Sequence, residues 1–160
     1  MAERRLIRKR FHQEALRIIN DVLLCGFATL REHSSMNENE LSRIIVDSAF
    51  KIHTTFGPGL FESVYEITLG HELELRGCRI VHQRGIPVVY ENVKLDLGFR
   101  ADIIVNKKVI IEVKSIEALG RVHAKQLRTY LRLTDLRLGL LINFNVDLIK
   151  DGIRRVVNNL

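Results

Sequence analysis

Two short apolar runs, FRADIIV at 99–105 and VIIEVKS at 109–115, are separated by only Asn106, Lys107 and Lys108. Runs rich in β-branched residues, joined by so short a polar connection, predict an antiparallel hairpin. The charges inside these runs constrain the chain further. Asp102 stands in the first run, and Glu112 and Lys114 stand two apart in the second, so Glu112 and Lys114 point to one sheet face. A lone charge buried among Ile and Val costs too much, so these groups must pair, bind a metal or reach a cleft. Two readings follow. One is a Glu112–Lys114 or Asp102–Lys114 ion pair at a sheet end. The other makes Asp102 and Glu112 hard oxygen ligands for Mg²⁺ or Mn²⁺, with Lys114 orienting or deprotonating an attacking water or stabilising phosphate charge. That second arrangement is a phosphodiester site.

The rest of the chain supplies the layers around this hairpin. Leu41, Ile44, Ile45, Ser48, Ala49 and Ile52 recur with helical spacing and predict one buried stripe, with Asn39 as a candidate cap and Phe56-Gly57-Pro58-Gly59 as its end. A second helix is predicted at about 60–76, stopped by Gly77, with Glu62, Tyr65, Glu66, Leu69 and Leu73 along one side. RIVHQRGIPVVYENVKLDLG reads as extended pieces joined by turns. Residues 121–133 (RVHAKQLRTYLRL) are helical in pattern, RLGLLINF is a buried strand, and DLIKDGIRRVVNN closes as a short helix. The order α-α-β-β-β-α-β-α defines an α/β domain, with no internal repeat or low-complexity segment.

Ahead of it, residues 3–24 place Leu6, Ile7, Phe11, Ala15, Ile18, Ile19, Val22 and Leu23 between Arg and Lys at helical recurrence, predicting an N-terminal amphipathic helix. Glu3, Glu14 and Asp21 interrupt the basic start and no A-x-A-like site follows, which argues against a targeting segment. REHSSMNENE breaks the pattern as a polar linker, and Met36 opens the next element. Residues 1–35 therefore read either as a basic helical extension with its linker or as the product of an upstream start, dispensable for the core. Residues 36–160 read as the domain.

Composition sets the class. At 160 residues, 46% hydrophobic and 28% charged, the chain suits one folded core. Its apolar runs fall short of the roughly 18–20 residues of a membrane helix, so no membrane partner is expected. Lys and Arg outnumber Asp and Glu by 25 to 19, and the resulting +6 favours a polyanionic partner. The extension is the more densely basic part, with seven basic and four acidic groups in residues 1–35. Cys25 and Cys78 stand far apart with no second pair, which suits reduced thiols in a reducing cytoplasm better than a disulfide or zinc framework.

GPGLFESVYE places Gly59, Glu62 and Tyr65 in a G-x-x-E-x-x-Y pattern, and Asp102 to Lys114 forms D-x9-E-V-K. The RAD, IEVKS, QLRTYLRL and GLLINFNV segments follow in order. In these segments, over about residues 38–158, the chain resembles the GxxExxY protein family, a branch of the PD-(D/E)xK nuclease-like superfamily. Ala101 stands where the superfamily signature has proline, a change that removes no ligand. The resemblance implies a restriction-endonuclease-like core with a mixed sheet flanked by helices, and Mg²⁺- or Mn²⁺-dependent nuclease action on DNA or RNA. It makes Asp102 and Glu112 the main metal ligands, with Glu62 reaching toward the ion, the Val113 carbonyl completing the shell and Lys114 as the catalytic lysine. Gln126 and Tyr130 match a Q-x3-Y feature beside the active site in some nuclease branches. A homodimer or a larger complex is the expected assembly by the same analogy. A rival class is a catalytically silent module that keeps the fold and binds nucleic acid or a protein partner.

Local alternatives stay open beside these roles. Glu62 also suits a solvated or capping carboxylate near a helix start, and Gln126 and Tyr130 suit a core-rim amide and an aromatic packed on the sheet. Arg121, Lys125, Arg128 and Arg132, with Tyr130 among them, form a basic run suited to nucleic-acid backbone contacts or to a solvated face. His53, His71, His82 and His123 lack zinc-ligand spacing; His123, three residues before Gln126, is the one placed near the candidate site. Gly57-Pro58-Gly59 lacks the Lys and Ser of a phosphate loop and reads as a helix-to-helix turn.

Overall fold

The computed structural model describes residues 36–160. The predicted amphipathic helix at 3–24 and its linker lie outside the described residues. Among the described residues nine elements follow in order: α1 (Glu38–Phe56), α2 (Glu62–Leu75), β1 (Ile80–Tyr90), β2 (Val93–Val105), β3 (Val109–Lys114), α3 (Arg121–Thr134), β4 (Leu138–Asn143), α4 (Ile149–Gly152) and β5 (Ile153–Val157). The strands form one sheet in the order β1-β2-β3-β4-β5. All neighbours are antiparallel except β3 and β4, which run parallel because α3 carries the chain back between them.

The helices cover the two faces separately. On one side Leu41, Ile45, Ala49 and Ile52 of α1 and Tyr65, Leu69 and Leu73 of α2 pack on Ile103, Val105, Ile111, Val113, Leu140 and Ile142. On the other, Leu127, Tyr130 and Leu131 of α3 pack on Ile104, Ile110, Leu141 and Val156. Buried from both sides, β3 and β4 are almost continuously apolar, as central strands of such sheets must be. Glu112 shares the α3 side with Ile110, two residues before it.

Local chemistry sets the boundaries. Asn37 rather than the expected Asn39 caps α1: its Oδ1 accepts from the N–H groups of Asn39 and Glu40, and Glu40 Oε2 accepts from the N–H of Asn37. Asn39 Oδ1 instead accepts from Arg155 on β5. Asn106 and Lys107 adopt left-handed φ of 50° and 57°, and Lys108 N–H donates to Val105 O at 2.9 Å, closing the β2–β3 hairpin as a tight turn.

The closing segment differs from expectation. Its helix is a single turn, α4, and residues 153–157 continue as edge strand β5. The β-branched Ile153, Val156 and Val157 suit a strand, in which Val156 is buried against α3 while Arg154 and Arg155 are exposed at the sheet edge. Gly152 allows the return: a Cβ there would stand 2.1 Å from Asn143 O, so only glycine lets the chain turn back this closely on β4.

Candidate active site

The β2–β3 ladder runs through Val105↔Val109, Ile104↔Ile110 and Ile103↔Ile111 and pairs no further. Beyond it a side chain takes over, as Asp102 Oδ2 accepts the main-chain N–H of Val113 at 2.9 Å. Lys114, the last residue of β3, turns its ammonium back onto this junction. Its Nζ donates to Val113 O at 2.9 Å and stands 3.5 Å from Glu112 Oε2 and 3.8 Å from Asp102 Oδ2. Asp102, Glu112 and Lys114 are thus brought together as expected from their spacing, with the Val113 carbonyl that the family resemblance implied beside them. Both ion pairs weighed from the sequence are present at once.

Burial makes this cluster electrostatically tense. Glu112 is 3% exposed, and burial together with the Asp102 carboxylate pushes its pKa up to about 7, against the partial relief given by Lys114. Asp102 is raised by burial too, offset in part by the Val113 N–H and the Lys114 ammonium. Burial works against the charge of Lys114, but Glu112, Asp102 and Glu62 together outweigh it and raise the lysine's pKa. Among the described residues, Glu112 Oε1 is buried and has no hydrogen-bond partner. An unpartnered buried carboxylate oxygen is costly unless a cation or donor reaches it.

Glu62 stands near enough for its charge to act on Asp102 and Lys114, but it forms no metal-holding group with Asp102 and Glu112. Its Oε1 accepts the N–H of Ser115 at 3.0 Å, because the start of α2 abuts the chain leaving β3, and Ser115 Oγ donates to Leu60 O at 2.7 Å. Among the described residues no three His, Cys, Asp or Glu side chains form a group able to hold a metal ion. The remaining donor set is two carboxylates and one carbonyl, all hard oxygens. It fits a magnesium-like ion, which commonly takes one or two carboxylates from the protein. The orphaned Oε1 of Glu112 gives such an ion an unsatisfied ligand.

The other residues of the GxxExxY pattern act on the loop that presents Glu62. Gly57 and Gly59 have φ of 66° and 101°, in the region that favours glycine. The buried Tyr65 donates its hydroxyl hydrogen to Gly57 O at 2.6 Å, accepts the Leu60 N–H at 3.2 Å, and stacks on Phe144 with ring centroids 4.3 Å apart. The turn is therefore a helix-to-helix clamp.

On α3, Gln126 donates its side-chain amide to the Tyr130 hydroxyl. Tyr130 is 2% exposed, packs against Phe99 at 5.0 Å between ring centroids, and lies close enough to Glu112 and Asp102 for their charges to act on it. This corrects its grouping with the basic run. Arg121, Lys125, Arg128 and Arg132 lie exposed, whereas Tyr130 belongs to the buried face and is not available for base stacking. His123 is spent locally, its Nδ1 accepting the N–H of Gly120 at the helix start.

One neighbouring network has no sequence signature. Glu66 Oε2 accepts from Gln83 Nε2 at 2.6 Å, and its Oε1 lies 3.3 Å from His82 Nδ1. Gln83 takes φ of 48° inside β1, between the pairs His82↔Ile103 and Arg84↔Ala101, opposite Asp102. The His82 ring lies over Gly70, where any Cβ would come within 2.4 Å of it. Helical spacing put Glu66 on the right side of α2, but a left-handed residue within a strand leaves no periodic trace.

A family profile described as the PD-(D/E)XK nuclease superfamily matches residues 39–156. No curated protein and no solved structure gives a significant match. The matched span takes in both faces of the sheet and every residue of the junction between β2 and β3, and by it the chain belongs to the PD-(D/E)XK nuclease superfamily.

Proposed function

We propose that this domain is a Mg²⁺- or Mn²⁺-dependent phosphodiesterase acting on DNA or RNA, and that it belongs to the GxxExxY branch of its superfamily. The observation that carries the reading is the buried, unpartnered Oε1 of Glu112 beside Asp102, Val113 O and Lys114. Asp102, Glu112 and the Val113 carbonyl would hold the ion. When bound, it would supply Lewis-acid polarisation of a phosphoryl oxygen. Lys114 would steady the phosphate charge or orient water. Gln126, tied to Tyr130, would stand at the rim, and Glu62 would support the site through Ser115.

Charge distribution supports a polyanionic substrate approaching from one side. Helix α3 carries Arg121, Lys125, Arg128 and Arg132 and no acidic residue, whereas α2 carries Glu62, Glu66, Glu72 and Glu74 and no Lys or Arg. These helices cover opposite faces, and Glu112 lies on the α3 side. Backbone phosphates would meet Arg121, Lys125 and Arg128 first. Single- and double-stranded DNA and RNA incubated with Mg²⁺ or Mn²⁺ test the reading. Cleavage is expected, lost in Lys114→Ala with binding retained. Binding without turnover in the unaltered protein would favour a silent binding module, a reading supported by the pairing of Lys114 with both carboxylates.

A further inference from the structure

The Lys114 ammonium touches the same three groups that the proposed site offers to a metal: Val113 O at 2.9 Å, Glu112 Oε2 at 3.5 Å and Asp102 Oδ2 at 3.8 Å. Two cations cannot share these oxygens at such distances without strong repulsion. We infer that Lys114 is the site's resident counter-ion and sets its metal affinity by competing with the divalent cation for Asp102, Glu112 and Val113. The inference rests on the divalent-cation reading above and adds that the lysine must leave before the ion binds.

The surroundings permit that exchange. Asp102 is held by the Val113 N–H independently of the lysine, so the carboxylate keeps its position when the ammonium withdraws. Glu112 is fixed by burial in the sheet. Lys114 stands at the end of β3 with its side chain 16% exposed, on a four-carbon stem that can swing toward solvent. Asn143, its partner across the parallel ladder, commits its amide to Ile116, and so does not hold the ammonium. Released, the same ammonium is free to meet the phosphate of a substrate. One residue would thus neutralise the metal-free site and serve the metal-loaded one.

A site whose competent form is only a fraction of the population binds with its affinity reduced by that fraction. If the lysine closes the site about nine-tenths of the time, removing it should tighten binding about tenfold. Calorimetric titration of the full-length protein with Mn²⁺ is the test, comparing wild type, Lys114→Met and Lys114→Gln, with folding checked by circular dichroism. Tighter binding in the uncharged variants supports the inference. Equal or weaker binding there, with wild type still binding, overturns it and leaves the metal site standing. No binding by any of the three overturns both.

A second measurement needs no variant. The rate at which an amine-directed acylating reagent labels Lys114 in the wild-type protein, read by mass spectrometry, should rise severalfold when Mn²⁺ is added. An unchanged or slower rate would overturn the displacement.

Discussion

The carboxylate of Asp102 on β2 accepts the main-chain N–H of Val113 on β3 at 2.9 Å, just where the ladder between the two strands ceases. The residue that gives the junction its charge also ties its backbone together. Removing the acceptor should leave a half-buried N–H unpaired. Asp102→Ala should therefore cost about 1–3 kcal/mol in chemical denaturation, and Asp102→Asn, which retains an oxygen, distinctly less. Equal losses in the two variants would show that charge rather than the hydrogen bond holds the strands.

Glu112 makes the metal-free protein sensitive to pH. Its pKa lies at about 7 in the fold against an ordinary 4.5, so between these values the folded state binds more protons than the unfolded one. The stability it contributes is full below pH 4.5 and is lost as pH rises through 7, by an amount on the order of 3 kcal/mol. Denaturation in chelator across this window should show the decline, and Glu112→Gln should flatten it. Added Mn²⁺ should restore stability at the alkaline end, because the ion binds the ionised carboxylate.

Tyr65 holds the loop before α2 through two hydrogen bonds and its stack on Phe144. Tyr65→Phe keeps the stack and should cost about 1–2 kcal/mol, whereas Tyr65→Ala removes a buried ring and should cost about 3–5 kcal/mol. Differential scanning calorimetry would rank them. Loss of activity in Tyr65→Phe with melting temperature unchanged would instead place the hydroxyl in the chemistry.

Much of this architecture was legible in the residues because it depends on local pattern. The stripe from Leu41 to Ile52 specified α1, the basic amphipathic run specified α3, and three polar residues between two apolar runs specified the β2–β3 hairpin. Asp102, Glu112 and Lys114 could be grouped because alternation and one short turn leave little freedom in where they lie. The pattern failed at ends and exceptions. Asn37 took the cap predicted for Asn39, and the closing helix gave way to β5, where an edge vacancy beside β4 outweighed a helical reading of five residues.

The sequence by itself determined which charges would meet at the end of β3, since period and hairpin geometry act within a few residues of chain. Only the tertiary structure decided how those charges are shared. Glu62 reaches Ser115 rather than the other carboxylates because of where α2 docks. Tyr130 turns inward because α3 buries that face, and Glu66 finds His82 and Gln83 because α2 packs beside β1 where Gln83 takes a left-handed conformation. These contacts join residues 16 to 53 positions apart or depend on which helix face is buried. Their outcome rests on packing and desolvation summed over the whole domain, which no short stretch of residues encodes.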